Sequence, residues 1–288
     1  MSGSSSPEQL GFDEMPRPHF SAAPTRLLTY LDCPRRYRFT YLEKPPPPKG
    51  PPWAHNSFGA AVHAALAAWW KLPVDRRTPD EAGVLLLKGW LSDGFRNDVH
   101  SEQHRERARQ MVIRYVSGLD PDDEPIGVER VVSVTTPHAA LWGRVDRIDE
   151  RPEGLVIVDY KTGRHVLTVD DARGSLALAV YAAAAARTLR QSCTRVELHH
   201  LPTGEVVVWN HSKESLVRHV SRADAIAREV ADAEQRFSSG LTPSQVDEQF
   251  PPHPGAICGF CDYSRLCPEG RRVRPPSKPW AGLDEPAQ

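Results

Sequence analysis

The chain has 288 residues, with 36 lysines and arginines against 37 aspartates and glutamates, and a formal charge of −1. With 40% hydrophobic and 25% charged residues it can bury a core, which excludes a mostly disordered chain. The near-neutral balance excludes a whole-protein basic field, so contact with a polyanion must come from local patches, and no apolar run approaches the roughly 18 residues of a membrane span.

In chain order, MSGSSSPEQLGFDE opens the sequence with neither a basic nor an apolar region of a secretory signal, so a cytoplasmic location without membrane partners is expected. Residues 1–19 read as a disordered tail. PTRLLTYLDCPRRYRFTYL (24–42) reads as a helix interrupted at Pro34, and PPPPKGPP (45–52) as a semi-rigid connector. NSFGAAVHAALAAWW (56–70) is a strong helix with Asn56 or Ser57 as its cap. Two more helices are expected over 80–92 and 101–117 within a helical stretch spanning 72–125. The period then changes: 128–136, 139–150 and 154–163 read as three strands joined by short turns. An alanine-rich buried helix follows at 174–190, then a hairpin at 195–201 and 205–210, then a long amphipathic helix at 212–237. Cysteines crowd into 256–268, and 272–288 reads as a second tail. The pattern predicts an α/β sheet flanked by helices in a body spanning 20–271.

Asp159 and Lys161 stand two apart on a strand, so both point to one face. The LVIV before them makes the strand central, where charges are costly unless paired or bound to metal. Asp146 lies on the preceding strand, and the RPEG turn brings the two together. Two carboxylates can collect a hard cation such as Mg²⁺, and a lysine beside them can orient or deprotonate an attacking water. Taken alone, D-x-K is more often a salt bridge at a strand end.

Five cysteines, an odd number, argue against a disulfide framework. Cys258, Cys261 and Cys267 form a Cys-x2-Cys-x5-Cys loop. Three thiolates need a fourth ligand for either Zn²⁺ or a 4Fe–4S cluster, and Cys33 is the candidate. Cys193 lies outside the pattern and reads as a small buried residue.

LWGRVDRIDERPEGLVIVDYKTG (141–163) resembles the core of the PD-(D/E)xK nuclease superfamily, in its RecB-like exonuclease branch: a GxxD strand, a turn, then an apolar strand ending in D-x-K-T-G. YLDCPRRYRFTYL and FGAAVHAALAAWW resemble the same branch's N-terminal segment and its G-x-x-x-H helix. The resemblance implies a restriction-endonuclease-like sheet and a metal-dependent DNA nuclease, with exonuclease use in repair or recombination. Asp146, Asp159 and Lys161 would be catalytic. His63, Asp146, Asp159 and the main-chain carbonyl of Tyr160 would hold Mg²⁺ or Mn²⁺, and Glu129 starts a strand where relatives often carry an acid. The iron–sulfur members of the branch, among them AddB-type and CRISPR-associated exonucleases, place one cysteine before the core and three after it. That layout matches Cys33 with Cys258, Cys261 and Cys267 as a staple between the chain's ends.

The expected substrate is DNA, as single strands or duplex ends, contacted by Tyr181, Arg35, Arg36 and Arg164. No G-x-x-x-x-G-K-[ST] loop is present, so any helicase or repair-complex activity would come from a partner. One position departs from the branch pattern. Its usual Q-x-x-x-Y helix keeps Tyr181 but has Ala177 at the glutamine, which leaves open a non-catalytic DNA-end-binding protein with a decayed site.

Overall fold

The computed structural model describes residues 19–283. Helices α1 (Pro24–Asp32) and α2 (Pro34–Tyr41) each begin on a proline, whose fixed φ suits a first turn and whose missing N–H is not needed there. Between them Cys33 is extended, at φ −165°, so the expected interruption is a break that leaves the cysteine outside both helices. Helix α3 (Ala54–Trp70) starts earlier than expected. Neither Asn56 nor Ser57 caps it: Trp53 holds the cap position, and the Ser57 hydroxyl instead donates to the Asp93 carbonyl at 2.9 Å. Helices α4 (Pro79–Lys88) and α5 (Asp98–Ser117), capped by Thr78 and Asn97, pack beside α3.

Strands β2 (Gly127–Thr135), β3 (Ala139–Arg151) and β4 (Gly154–Lys161) form the expected antiparallel meander. The chain then crosses through α6 (Val169–Gly174) and α7 (Leu176–Leu189) to β5 (Cys193–His200), which runs parallel to β4, and β6 (Glu205–Asn210) closes a hairpin. A short strand β1 (Phe20–Ala22), not anticipated from the sequence, lies parallel to the start of β3. Three residues are too few to show an alternation pattern. The mixed sheet has the order β1-β3-β4-β5-β6, with β2 along the other edge of β3.

Helices cover both faces. Val156, Val158 and Tyr160 of β4 pack toward α3, α4 and α5, while Leu155 and Ile157 pack toward α7. Burial on both faces is why this strand reads as an unbroken apolar run. A third cluster joins α1, β1 and α7 to α8 (Lys213–Ser238).

After α8 come α9 (Pro243–Gln249), two 3-10 turns (Ala256–Phe260 and Ser264–Leu266) and α10 (Pro268–Val273). Residues 272–283 are not the expected tail. The Ser277 amide donates to the Gly259 carbonyl at 2.7 Å, the Ala54 amide to Pro279 at 3.1 Å, and Leu283 is buried against α3. Apolar Trp280 and Leu283 provide the anchor that the flanking prolines conceal. The expected tail over 1–18 and the segment 284–288 lie outside the described residues. No helix of the described residues is long and apolar enough to cross a membrane.

Candidate functional site

The ladder between β3 and β4 runs from Arg151↔Gly154 to Arg147↔Val158 and then stops. Beyond it the Tyr160 amide donates to Asp146 Oδ2 at 2.9 Å. Asp146 thus takes a main-chain donor that a continuing sheet would satisfy with a carbonyl. On the other edge of β3, Glu129 of β2 stands between Val128↔Arg147 and Arg130↔Val145. Its φ is +51°, a conformation that costs a side chain about 1 kcal/mol or more and is tolerated where the surroundings enforce it.

This distortion reverses the alternation of both strands. Val128 packs on the α3 side but Val132 on the α7 side. Likewise Arg147 lies over the Trp70 ring of α3, 5.2 Å from its centroid, while Val145 packs on the α7 side. A regular strand would keep each pair on one face.

Three ligand-type side chains meet at this point. Ligand atoms of His63, Glu129 and Asp146 lie within 4.8 Å of one another. His63 sits on α3 with Nδ1 3.2 Å from Asp146 Oδ1. Burial would lower the pKa of His63, but the hydrogen bond to Asp146 and the charges of Asp146, Asp159 and Glu129 raise it. Glu129 also pairs with Arg144 at 2.6 Å.

Asp159 is not part of this triad; it lies beside it, with Lys161 Nζ 2.5 Å from Oδ2. That oxygen is buried and accepts no hydrogen bond of regular geometry. Burial pushes the Asp159 pKa up, the lysine opposes the shift, and the Asp146 charge adds to it. An imidazole, three carboxylates and an incompletely satisfied oxygen fit a hard divalent cation, whose preferred ligands are oxygens.

Tyr181 projects from α7 against Gly143 of β3. A Cβ at position 143 would lie 2.1 Å from the ring, so the glycine of the GxxD string is what admits the tyrosine beside Asp146. Burial, with the charges of Asp159 and Asp146, pushes the Tyr181 pKa up to about 12. His63, Glu129, Asp146 and Tyr181 line one open cleft of about 1040 Å³. Arg164 lines a neighbouring recess with Arg107 and Thr162.

Arg35 and Arg36 do not join the cleft. Both line a cavity shared by Cys33, Cys258, Cys261 and Cys267. Arg35 Nη1 lies 2.8 Å from Glu269 Oε2 and 3.9 Å from Cys267 Sγ. Main-chain amides point at the sulfurs: His253 N to Cys33 at 3.5 Å, Gly255 N to Cys258 at 3.4 Å and Gly270 N to Cys267 at 3.4 Å. For Cys261, burial raises the thiol pKa, while the Tyr263 amide and Arg36 oppose it. A Cβ on Gly270 would come within 3.2 Å of Cys258 Sγ and 3.4 Å of Cys267 Sγ. Among the described residues no three cysteine sulfurs lie within 4.8 Å of one another. A tetrahedral zinc with ~2.3 Å bonds would draw its sulfurs to about 3.8 Å apart. Cys193 is buried elsewhere, in the core on the α7 side.

Over residues 21–268 the sequence matches the family model described as the PD-(D/E)XK nuclease superfamily. No curated protein matches it. Among solved structures, it is similar to one titled a "Putative exonuclease" from Eubacterium rectale, at 13% identity and a TM-score of 0.45, covering 98% of this chain and 97% of that one. It is also similar to the crystal structure of SSO0001, at 13% identity and a TM-score of 0.40, covering 89% of this chain and 90% of that one.

Proposed function

This chain belongs to the PD-(D/E)XK nuclease superfamily, and on that premise we propose that it is a divalent-metal-dependent deoxyribonuclease of the RecB-like branch, working as an exonuclease in DNA repair or recombination. The observation that carries this reading is the meeting of His63, Glu129 and Asp146 in one cleft beside the Asp159–Lys161 pair. The cation would be held by His63, Asp146, Asp159 and the Tyr160 carbonyl, with Glu129 as a further carboxylate. When bound it supplies Lewis-acid stabilisation of the phosphate charge and a more acidic water. Lys161, half exposed next to Asp159, orients that water and offsets developing negative charge.

The test is release of label from single-stranded and duplex DNA with Mg²⁺ or Mn²⁺, and its loss in chelator. Ala177 gives the competing reading, a DNA-end-binding protein without catalysis, its one support. Full-length DNA after incubation with either metal selects that second reading.

Tyr181 would position the substrate strand, and its seat on Gly143 gives a sharper check. Gly143→Ala lowers cleavage about as far as Tyr181→Ala, on the order of tenfold or more for a misplaced substrate contact. The double variant is no slower than Tyr181→Ala alone, because the two changes remove one feature. Fully multiplicative losses in that cycle reject the coupling.

At the cysteine cavity we read a 4Fe–4S cluster held by Cys33, Cys258, Cys261 and Cys267. The amides directed at the sulfurs suit a cluster, whose potential such hydrogen bonds adjust. Arg35 and Arg36, expected as DNA contacts, are better suited here to balancing thiolate charge. The nuclease unit would run from Phe20 through the cysteine loop, with 72–125 as its helical insertion.

A further inference from the structure

The reversal of alternation at Glu129 and Asp146 has a second outcome. Beyond it, α3-side residues of β2 and β3 stay exposed to the cleft that α3 walls on its other side. Trp142 remains 42% exposed and Val131 58% exposed. Val131 pairs with Arg144 and Ser133 with Trp142, so Val131 and Trp142 are diagonal neighbours on one face, within reach of a large ring. Both line the same cleft as His63, Glu129 and Asp146. An exposed tryptophan beside an exposed valine is an apolar patch at a site otherwise built of charge, which marks it for a ligand with an apolar face.

The opposite wall narrows the choice of ligand. It is the outward side of α3, with Ala60, Ala64 and Ala68 at helical spacing, so nothing large projects into the cleft. Lys71 and Arg144 supply cations along it. Apolar ring face, low wall, flanking cations and a continuous path to the metal ligands together suit a polyanion carrying flat bases. Four residues of strand separate Trp142 from Asp146, about 13 Å, which is a few nucleotides.

We propose that Trp142, backed by Val131, is a base-stacking residue that receives an unpaired base of single-stranded DNA a few nucleotides from the cleaved phosphate. It is a positioning and specificity residue for that reaction, and the proposal rests on the nuclease reading above. Bases inside a duplex have no free face to offer it, so the platform favours single strands and frayed ends. Stacking on aromatic residues is tolerant of sequence, and the site would not discriminate among the four bases by hydrogen bonding.

The experiment uses the full chain and fluorescently labelled oligonucleotides, each with one abasic position, in Mg²⁺ with the catalytically impaired Asp159→Asn background for binding. With Trp142 present, affinity falls at one abasic position. Trp142→Ala weakens binding of the intact single strand about 5- to 150-fold, the range for one stacked base, and abolishes the positional dip. Trp142→Phe restores both in large part, which a loss of fold would not allow, and blunt duplex binding changes little. The proposal is overturned if Trp142→Ala binds the single strand like its parent, or if the abasic profile is the same with and without the tryptophan. The nuclease reading fails separately, as absence of metal-dependent cleavage by the unsubstituted protein. Wild-type protein that neither cuts nor binds the oligonucleotide overturns both.

Discussion

Asp159→Asn takes metal-dependent DNA cleavage to background while the metal-free protein unfolds at no lower urea concentration than the wild type. The two halves come from one piece of geometry. Asp159 is largely buried, its Oδ2 lacks a regular hydrogen bond, and Asp146 adds a like charge nearby. The folded state therefore favours its neutral form. A group whose folded pKa is raised above the unfolded value contributes stability at acid pH and loses it as pH rises through the folded value. At neutral pH the ionised carboxylate is a liability without a cation, and an uncharged amide of the same shape removes it. Lys161 loses its partner but is half exposed and can turn to water at small cost.

With metal and DNA present the balance reverses, because the amide is a poor ligand for a hard cation. Lys161→Ala supplies the contrast. It slows hydrolysis by about 10²–10⁴, the usual contribution of a positioned acid–base group, with Mg²⁺ binding retained. Wild-type cleavage by Asp159→Asn would remove Asp159 from the site. Loss of DNA binding with unchanged turnover in Lys161→Ala would make the lysine a phosphate anchor.

How much of this was legible follows from the range of each signal. The D-x-K strand, the turn before it and the G-x-x-x-H helix are local patterns, and each becomes the expected element. Pro34 correctly marks a break beside Cys33. Legibility fails where long-range partners decide. β1 is three residues held by pairing with β3 and packing near α8, and Asn56 and Ser57 lose their capping role because Trp53 is anchored by its indole N–H to Asp262 Oδ1 at 2.7 Å. Glu129 is suggested by family habit, but its left-handed backbone follows from no residue preference, since glutamate avoids it. Trp142 carried no signal at all. An alternating strand would bury or expose it by parity, and parity is what the distortion at Glu129 changes. Arg35 and Arg36 line the cysteine cavity and not the cleft, a placement their neighbours in sequence do not encode, since arginine beside tyrosine also suits nucleic acid.

Cys33→Ser strips the iron from the anaerobically purified protein and destabilises it as severely as Cys258→Ser. A span of 225 residues separates Cys33 from Cys258. Joining them through a shared cluster restricts the unfolded chain much as a disulfide would, about 5.4 kcal/mol for a loop of that size, and metal-site binding adds directly to folding. Weaker ties already hold the two ends together: the Arg35 amide reaches the Pro251 carbonyl at 3.3 Å, the Tyr263 hydroxyl reaches Phe39 O at 3.3 Å, and Gly50 N reaches Asp262 O at 2.7 Å. Losing the cluster therefore loosens the α1–α2 segment and the cysteine loop first, before the central sheet melts. Hydrogen exchange should show that order, with amides of 24–41 and 256–273 losing protection ahead of β4. Cys193→Ala is the control. Its thiol is buried in the core, with a pKa pushed up to about 12 by that burial, and the variant keeps full iron content. Visible absorbance and iron per chain decide the matter. A colourless wild type with one zinc per chain replaces the cluster by a zinc site on the same residues. Iron retained in Cys33→Ser but lost in Cys193→Ala would break the staple, leaving the N-terminal helices tied to the C-terminal loop by hydrogen bonds, the Arg35–Glu269 ion pair and the Phe39–Tyr263 ring contact.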